Sequence, residues 1–162
     1  GNKQIYIDIK QYNWKFDVLY DIYETINVTQ SIIYVNSKNI LNNLYDRLSR
    51  DEFPVSYIHG DMHSSEREKN LNDFKNGITR IMLSTDLLSR GIDIQQLSLV
   101  INFDLPRNKE TYIHRIGRSG RYGRKGTAIN FVTSEDIEHM REIQKFYNTK
   151  IDEMPQNLAD YL

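Results

Sequence analysis

Cysteine is missing altogether from the 162 residues, which excludes disulfides and thiolate metal sites as sources of stability or chemistry. The four histidines show no ligand spacing such as HExxH, so no structural metal is expected. No apolar run approaches the ~20 residues a membrane span requires, and the N-terminus has no signal-peptide pattern, so a soluble intracellular protein is expected. Two further absences bear on chemistry. There is no phosphate-cradling loop after a strand, either GxxxxGK followed by Ser or Thr, or GxGxxG. Nor is there an acidic pair after a strand, such as Asp-Glu, to hold Mg²⁺ and a water. Internal repeats, low-complexity tracts and linkers are absent as well.

What is present has the composition of an ordinary globular domain, 27% charged and 39% hydrophobic. The length suits one domain, residues 1–162, with room for a real core. The chain begins with Gly1 and enters an apolar alternation at Ile5, Ile7 and Ile9, as expected of a fragment of a longer protein. Residues 5–9 read as a strand; positions 14, 18, 19, 22, 23 and 26 give one apolar face of a helix. SIIYV at 31–35 is a short apolar run rich in β-branched residues, a strand covered on both faces. Ser37 then caps a helix with Ile40, Leu41, Leu44, Tyr45 and Leu48 on its buried stripe. Further strands are expected at 55–58, 80–84, 99–103 and 127–132. Ser65 with Glu68 forms a capping-box pattern for a helix that buries Leu71 and Phe74 and stops at Gly77. Ser134 opens a last helix with Ile137, Met140, Ile143 and Phe146 inward.

Strands alternating with helices imply a doubly wound α/β domain, a mostly parallel sheet with helices on both faces. Ligands of such sheets bind at the carboxyl ends of the strands. Function is therefore sought at residues 36–37, 59–62, 85–93 and 104–107, and beyond the helix that starts near Asn108.

That helix leads into the most unusual stretch of the chain, HRIGRSGRYGRK at 114–125. Between Arg107 and Lys125 seven Arg or Lys stand against one acid, Glu110, a balance of +6 in a chain of net charge −1. The remainder is therefore near −7, and the concentration argues for an anionic target met at this place. Glycine at 117 weakens a helix by ~1 kcal/mol relative to Ala, so the helix should end there. A Gly/Arg-rich RNA-binding tail would share this composition, but the flanking apolar runs VINF and AINFV favour a fixed site. Cations for phosphates without a phosphate cradle suit a domain that supplies arginine fingers to a nucleotide held by another domain.

From Lys3 onward the chain resembles the second RecA-like domain of DEAD-box RNA helicases. The resemblance is carried by SIIYVNS (31–37), STDLLSRGID (84–93), VINFDLP (100–106) and HRIGRSGR (114–121), in that order. YGRKG after the last of these and the ending IDEMPQNLADYL are similar to the translation initiation factor 4A group. The resemblance implies the C-terminal half of an ATP-dependent RNA helicase that unwinds short duplexes, inactive as a fragment and monomeric. Arg118 and Arg121 would reach the γ-phosphate of ATP, held with Mg²⁺ mainly by an N-terminal RecA-like domain of the same protein. Asp93 would contact the ribose or the attacking-water network, and His114 would couple to that domain's acidic motif. Thr85, Gly60 and Arg67 would hold phosphates of single-stranded RNA, with Asn36, Asp86 and Arg90 as further contacts. A translation-initiation scaffold would be a partner, and the location cytoplasmic, with the nucleus as alternative. Ser64 departs from the family's usual Gln and leaves one RNA contact in question.

Other readings stand beside this one. A non-catalytic RNA-binding or scaffold module would use the same surface, and helicases of splicing-linked or ribosome-assembly steps share the motifs. Asp93 fits a cap after Gly91 as well as a ligand, and Arg90 fits a brace to Asp93 or Asp86. His59 and His63 read as exposed residues without a role, and Arg80, Arg141 and Lys145 as solvated charges. Tyr6, Tyr12, Tyr34, Tyr45 and Tyr112 fit a buried or half-buried pattern better than a base-stacking platform.

Overall fold

The computed structural model describes residues 3–85, 97–117 and 126–154. Within them lie seven strands: β1 (Lys3–Asp8), β2 (Ser31–Tyr34), β3 (Val55–Ile58), β4 (Ile81–Ser84), β5 (Leu99–Asn102), β6 (Thr127–Val132) and β7 (Asp152–Glu153). They form one sheet in the order β3-β4-β2-β5-β6-β1-β7, and every pairing is parallel. The five helices are α1 (Trp14–Thr25), α2 (Lys38–Arg50), α3 (Ser64–Lys75), α4 (Lys109–Ile116) and α5 (Ile137–Tyr147).

The central strands are buried along their whole length, IMLS, SIIY, LVIN and TAINFV alike. This is the pattern of strands covered on both faces. Alternate residues feed two sides. Ile5, Ile33, Leu83, Ile101 and Phe131 pack with Leu19 and Ile22 of α1 and Leu41, Leu44 and Leu48 of α2. On the other side Ile32, Met82 and Val100 meet Phe74 of α3, while Ala128 and Val132 meet Tyr112 and Ile116 of α4 and Met140 and Ile143 of α5. The doubly wound expectation is met.

Local signals explain where several helices begin and end. Ser37 Oγ accepts the Ile40 N–H (3.2 Å) and Asn108 Oδ1 the Thr111 N–H (2.7 Å); each satisfies a donor the helix leaves open. α3 closes on Gly77 at φ +78°, with Ile78 N–H donating to Asp73 O and Gly77 N–H to Phe74 O, a Schellman turn. α5 closes the same way on Asn148 at φ +50°. α4 stops at Gly117, as its sequence predicts.

Three local expectations are corrected. The capping box of α3 does not form: the helix starts at Ser64 after His63, which makes no side-chain cap. Trp14 is 46% exposed, and Lys15 is buried in its place because it has a carboxylate partner inside the fold. Phe146 is 59% exposed since Tyr147 takes the inward position, its hydroxyl donating to Lys109 O (2.9 Å). The short edge strand β7 carries no apolar alternation, and nothing in residues 152–153 announces it.

Candidate functional site

The carboxyl ends of β3, β4, β2 and β5 stand side by side, at the ~4.8 Å spacing of neighbouring strands. Gly60, Thr85, Asn36 and Asp104 follow these ends in turn, so the row is dictated by strand order alone. Backbone bonds pin it: Thr85 N–H donates to Ile58 O (3.3 Å), Val35 N–H to Ser84 O (3.0 Å) and Phe103 N–H to Tyr34 O (3.0 Å).

At the β3–β4 end two candidates carry the same anomaly. Arg67 lies in the first turn of α3, its N–H bonded to His63 O (3.0 Å). Its Nε, and Thr85 Oγ1 after β4, are buried side-chain atoms with no hydrogen-bond partner among the described residues. A buried donor left unmatched costs ~1–3 kcal/mol, and such exceptions in a native fold mark strain or an external partner. Gly60 is exposed in the turn between β3 and α3. That turn is self-supporting: Asp61 N–H donates to His59 Nδ1 (3.2 Å) and His59 N–H to Met62 Sδ (3.3 Å). His59 is therefore buried, 8% exposed, and stacked on Tyr57 at 5.9 Å; it builds the turn and is not the exposed residue expected from sequence. His63 is exposed as expected. Asp61 bonds Lys38 (3.0 Å), and this hydrogen bond, with the charge behind it, holds the Asp61 carboxyl below the usual range.

At the β2–β5 end the polar groups are fully engaged. Arg115 of α4 is 2% exposed; its Nη1 donates to Asp104 O (2.7 Å) and Asn102 Oδ1 (3.1 Å), and its Nη2 to Asn36 Oδ1 (2.7 Å). The guanidinium also lies 5.2 Å from the Tyr34 ring centroid. Asp104 accepts from Tyr12 OH (2.8 Å) and Lys15 Nζ (3.2 Å) at Oδ1, and from Asn36 N–H (2.9 Å) at Oδ2. Asn36 Nδ2 donates to Leu105 O (3.0 Å). The network continues across the sheet through Asn102 and Asn130 (2.8 Å), Asn130 and Tyr112 OH (3.3 Å), and Tyr112 OH and Gln4 (2.7 Å). Burial, then the Asp104 charge, pushes the Tyr12 phenol up from its ordinary value. Burial does the same to Tyr112, opposed in part by Asn130.

Arg115 thus stands apart from the cationic stretch it belongs to in sequence. It is a structural clamp, whereas His114 beside it is exposed. Lys15, Asn102 and Asn130 are the members that sequence reasoning missed, and none carries a local signal. Asp104, directly after an apolar strand, lies in the 104–107 segment where function is sought from sequence. Asp86, Arg90, Asp93, Arg118 and Arg121 lie outside the described residues. Among the candidates that are described, the fold brings Gly60, Arg67, Thr85 and Asn36 to one edge.

A family profile described as the helicase conserved C-terminal domain matches residues 14–123. The chain belongs to that family. Its likeness to curated relatives extends end to end: it is 53% identical over 162 residues to the ATP-dependent RNA helicase eIF4A of Mycosarcoma maydis, all of this chain and 39% of that protein. The chain thus spans about two-fifths of the length of the curated relatives it matches. Among solved structures, the C-terminal domain of the DEAD-box protein Dbp5 is 40% identical with a TM-score of 0.86, covering 94% of this chain and 89% of that one. S. cerevisiae Dbp5 bound to RNA and ADP BeF3 matches at 40% identity and a TM-score of 0.88, covering 94% of this chain and 41% of that one. The seven-stranded parallel sheet with five helices is therefore the RecA-like C-terminal domain of the DEAD-box helicases, as the motifs predict. No described helix is long and apolar enough to cross a membrane.

Proposed function

We propose that this helicase C-terminal domain is half of an ATP-dependent RNA helicase acting in translation initiation. Preceded in the full protein by an N-terminal RecA-like domain, it would close with that domain over ATP and single-stranded RNA. The observation that carries the reading is the pair of buried, unpartnered atoms, Arg67 Nε and Thr85 Oγ1, on the edge that also bears Gly60. Phosphate oxygens of a single strand supply the acceptors these atoms lack; Asn36, Asp86 and Arg90 are assigned as further RNA contacts. Contacts of this kind position the strand without reading its bases. The binding of RNA and ADP BeF3 by Dbp5 supports this assignment.

Arg118 and Arg121 are assigned to the γ-phosphate, Asp93 to the ribose or attacking-water network and His114, exposed at the end of α4, to the acidic motif of the preceding domain. Among the described residues no three His, Asp or Glu side chains gather as a metal site needs, so Mg²⁺ and the phosphate cradle are assigned to that domain. Bound ATP supplies the phosphoryl group; this chain's part is to orient and stabilise charge on it. A cytoplasmic location and a translation-initiation scaffold as partner complete the proposal.

The test is binding of a single-stranded RNA at several salt concentrations. Each phosphate contact contributes ~0.7 to the slope of log K against log salt. Arg67→Ala should weaken binding and flatten the slope by about that amount, while Thr85→Val should weaken binding at unchanged slope, because no charge is removed. Wild-type affinity in both variants, or strong discrimination among sequences, contradicts the phosphate groove.

A further inference from the structure

Between α1 and the segment after β5 lies a buried ion pair that the reading above does not use. Lys15 and Asp104 are 2% and 6% exposed, with Lys15 Nζ 3.2 Å from Asp104 Oδ1. Burying two charges carries a desolvation cost that apolar residues of the same volume would avoid. A lysine retained here calls for a reason other than stability. The contacts of Asp104 supply one. Lys15 and Tyr12 grip Oδ1 from the α1 side, which leaves Oδ2 for the Asn36 N–H. The Asp104 carbonyl oxygen and Asn36 Oδ1 are in turn two of the acceptors that Arg115 reaches. The Asp104 carboxylate thus ties α1 to the ends of β2 and β5, the last turn of α4 is held through the Asp104 carbonyl oxygen and Asn36 Oδ1, and Arg115 precedes Arg118 by three residues.

We propose that Lys15 is a positioning residue for the arginine segment. It fixes the Asp104 side chain so that Asp104 and Asn36 present set acceptors to Arg115, which orients the last turn of α4 and the point from which residues 118–125 leave it. The inference rests on the reading of Arg118 and Arg121 as ligands of the γ-phosphate. Lys15 itself touches neither nucleotide nor RNA. A ligand of the transition state displaced by ~1 Å costs on the order of 100-fold in rate, so the effect falls on kcat and not on KM.

Lys15→Met alone leaves the Asp104 carboxylate buried without its cation and lowers stability together with turnover. The informative protein is therefore the two-domain enzyme with Lys15→Met and Asp104→Asn combined, which removes both charges and keeps one acceptor oxygen. Its unfolding midpoint should return close to that of the wild type while RNA-stimulated kcat stays down about tenfold or more, with KM for ATP and RNA changed less than about threefold. Tyr12→Phe, at an exposed ring, removes a single bond to Oδ1 and should lower kcat about twofold to threefold at an unchanged midpoint. If kcat recovers in step with the midpoint in the double variant, and Tyr12→Phe turns over like wild type, the positioning role is overturned. A wild-type enzyme without RNA-stimulated turnover would instead contradict the functional reading. The amide resonances of Asn36 and Gly117 in the chain itself then decide: displaced in the double variant if Lys15 positions α4, unmoved if it does not.

Discussion

Arg115 shows how far a side chain's role departs from its composition. In sequence it is one of seven cations, yet it is buried and donates to three acceptors on two strand ends. Replacing it by Met leaves those acceptors without their donor, for which removal of one partner from a buried charged network suggests a loss of ~3–5 kcal/mol. Arg115→Lys keeps the charge but not the planar fork, and should still lose at least ~2 kcal/mol. Chemical denaturation of the chain measures both; a loss under ~1 kcal/mol in Arg115→Met would remove the clamp from the account. The tyrosines give a second residue-scale test. Burial pushes Tyr12, Tyr23 and Tyr112 up, and burial with the Asp51 hydrogen bond pushes Tyr20 up to about 12. A phenol whose folded value exceeds its unfolded value of ~10 favours the fold below that pH, and the contribution is lost as pH rises toward the folded value. In an alkaline titration followed by phenolate absorbance and circular dichroism, Tyr23 and Tyr112, two of the eleven tyrosines, should ionise only as the helical signal collapses. All eleven ionising near pH ~10 with the fold intact would contradict their burial.

The elements were legible where one physical signal acts alone. Continuous apolar runs marked the buried strands, and Ser37, Asn108, Gly77 and Gly117 marked helix ends, because caps and left-handed turns depend on the residue itself. Gly77 at φ +78° has open space around a built Cβ, so Gly77→Ala tests backbone strain without a steric clash. It should cost ~1–2 kcal/mol, a midpoint drop of several degrees, whereas Asn148→Gly at the matching position of α5 should be neutral or stabilising. Equal midpoints for Gly77→Ala and wild type would contradict the Schellman turn. Legibility failed where partners far apart in sequence decide. Lys15 is inward because Asp104, 89 residues on, waits there, and no periodicity at α1 announces that. His59 is buried by Tyr57 and the Asp61 N–H, not by its own hydropathy. For the site, the family resemblance brought Gly60, Arg67, Thr85 and Asn36 to notice, and strand order explains why Gly60, Thr85 and Asn36 lie along one edge; the Arg115 clamp was not readable, since Lys15, Asn102 and Asn130 are single polar residues in otherwise apolar segments.

At the scale of the whole molecule, charge is divided by position: about +6 between Arg107 and Lys125 and about −7 over the rest. One of those seven cations, Arg115, is consumed by the fold, which leaves six for an anionic target. In the proposed function the domain provides one side of a cleft through the edge that bears Arg67 and Thr85, and the chemistry needs the other domain. The central claim is that Arg118 and Arg121 stabilise charge that develops on the γ-phosphate once the cleft closes. Arginine fingers contribute on the order of 10³ to 10⁵ in rate, while an exposed ion pair is worth ~0–1 kcal/mol of stability, so magnitude separates the two roles. Lysine is the informative replacement, because it keeps the charge and loses the bidentate fork. The deciding measurement is RNA-stimulated kcat of the two-domain protein beside its unfolding midpoint, for wild type, Arg118→Lys and Arg121→Lys. The account predicts kcat reduced by about 10³-fold or more at an unchanged midpoint; near-normal kcat in both variants, or a midpoint that collapses along with kcat, would contradict it.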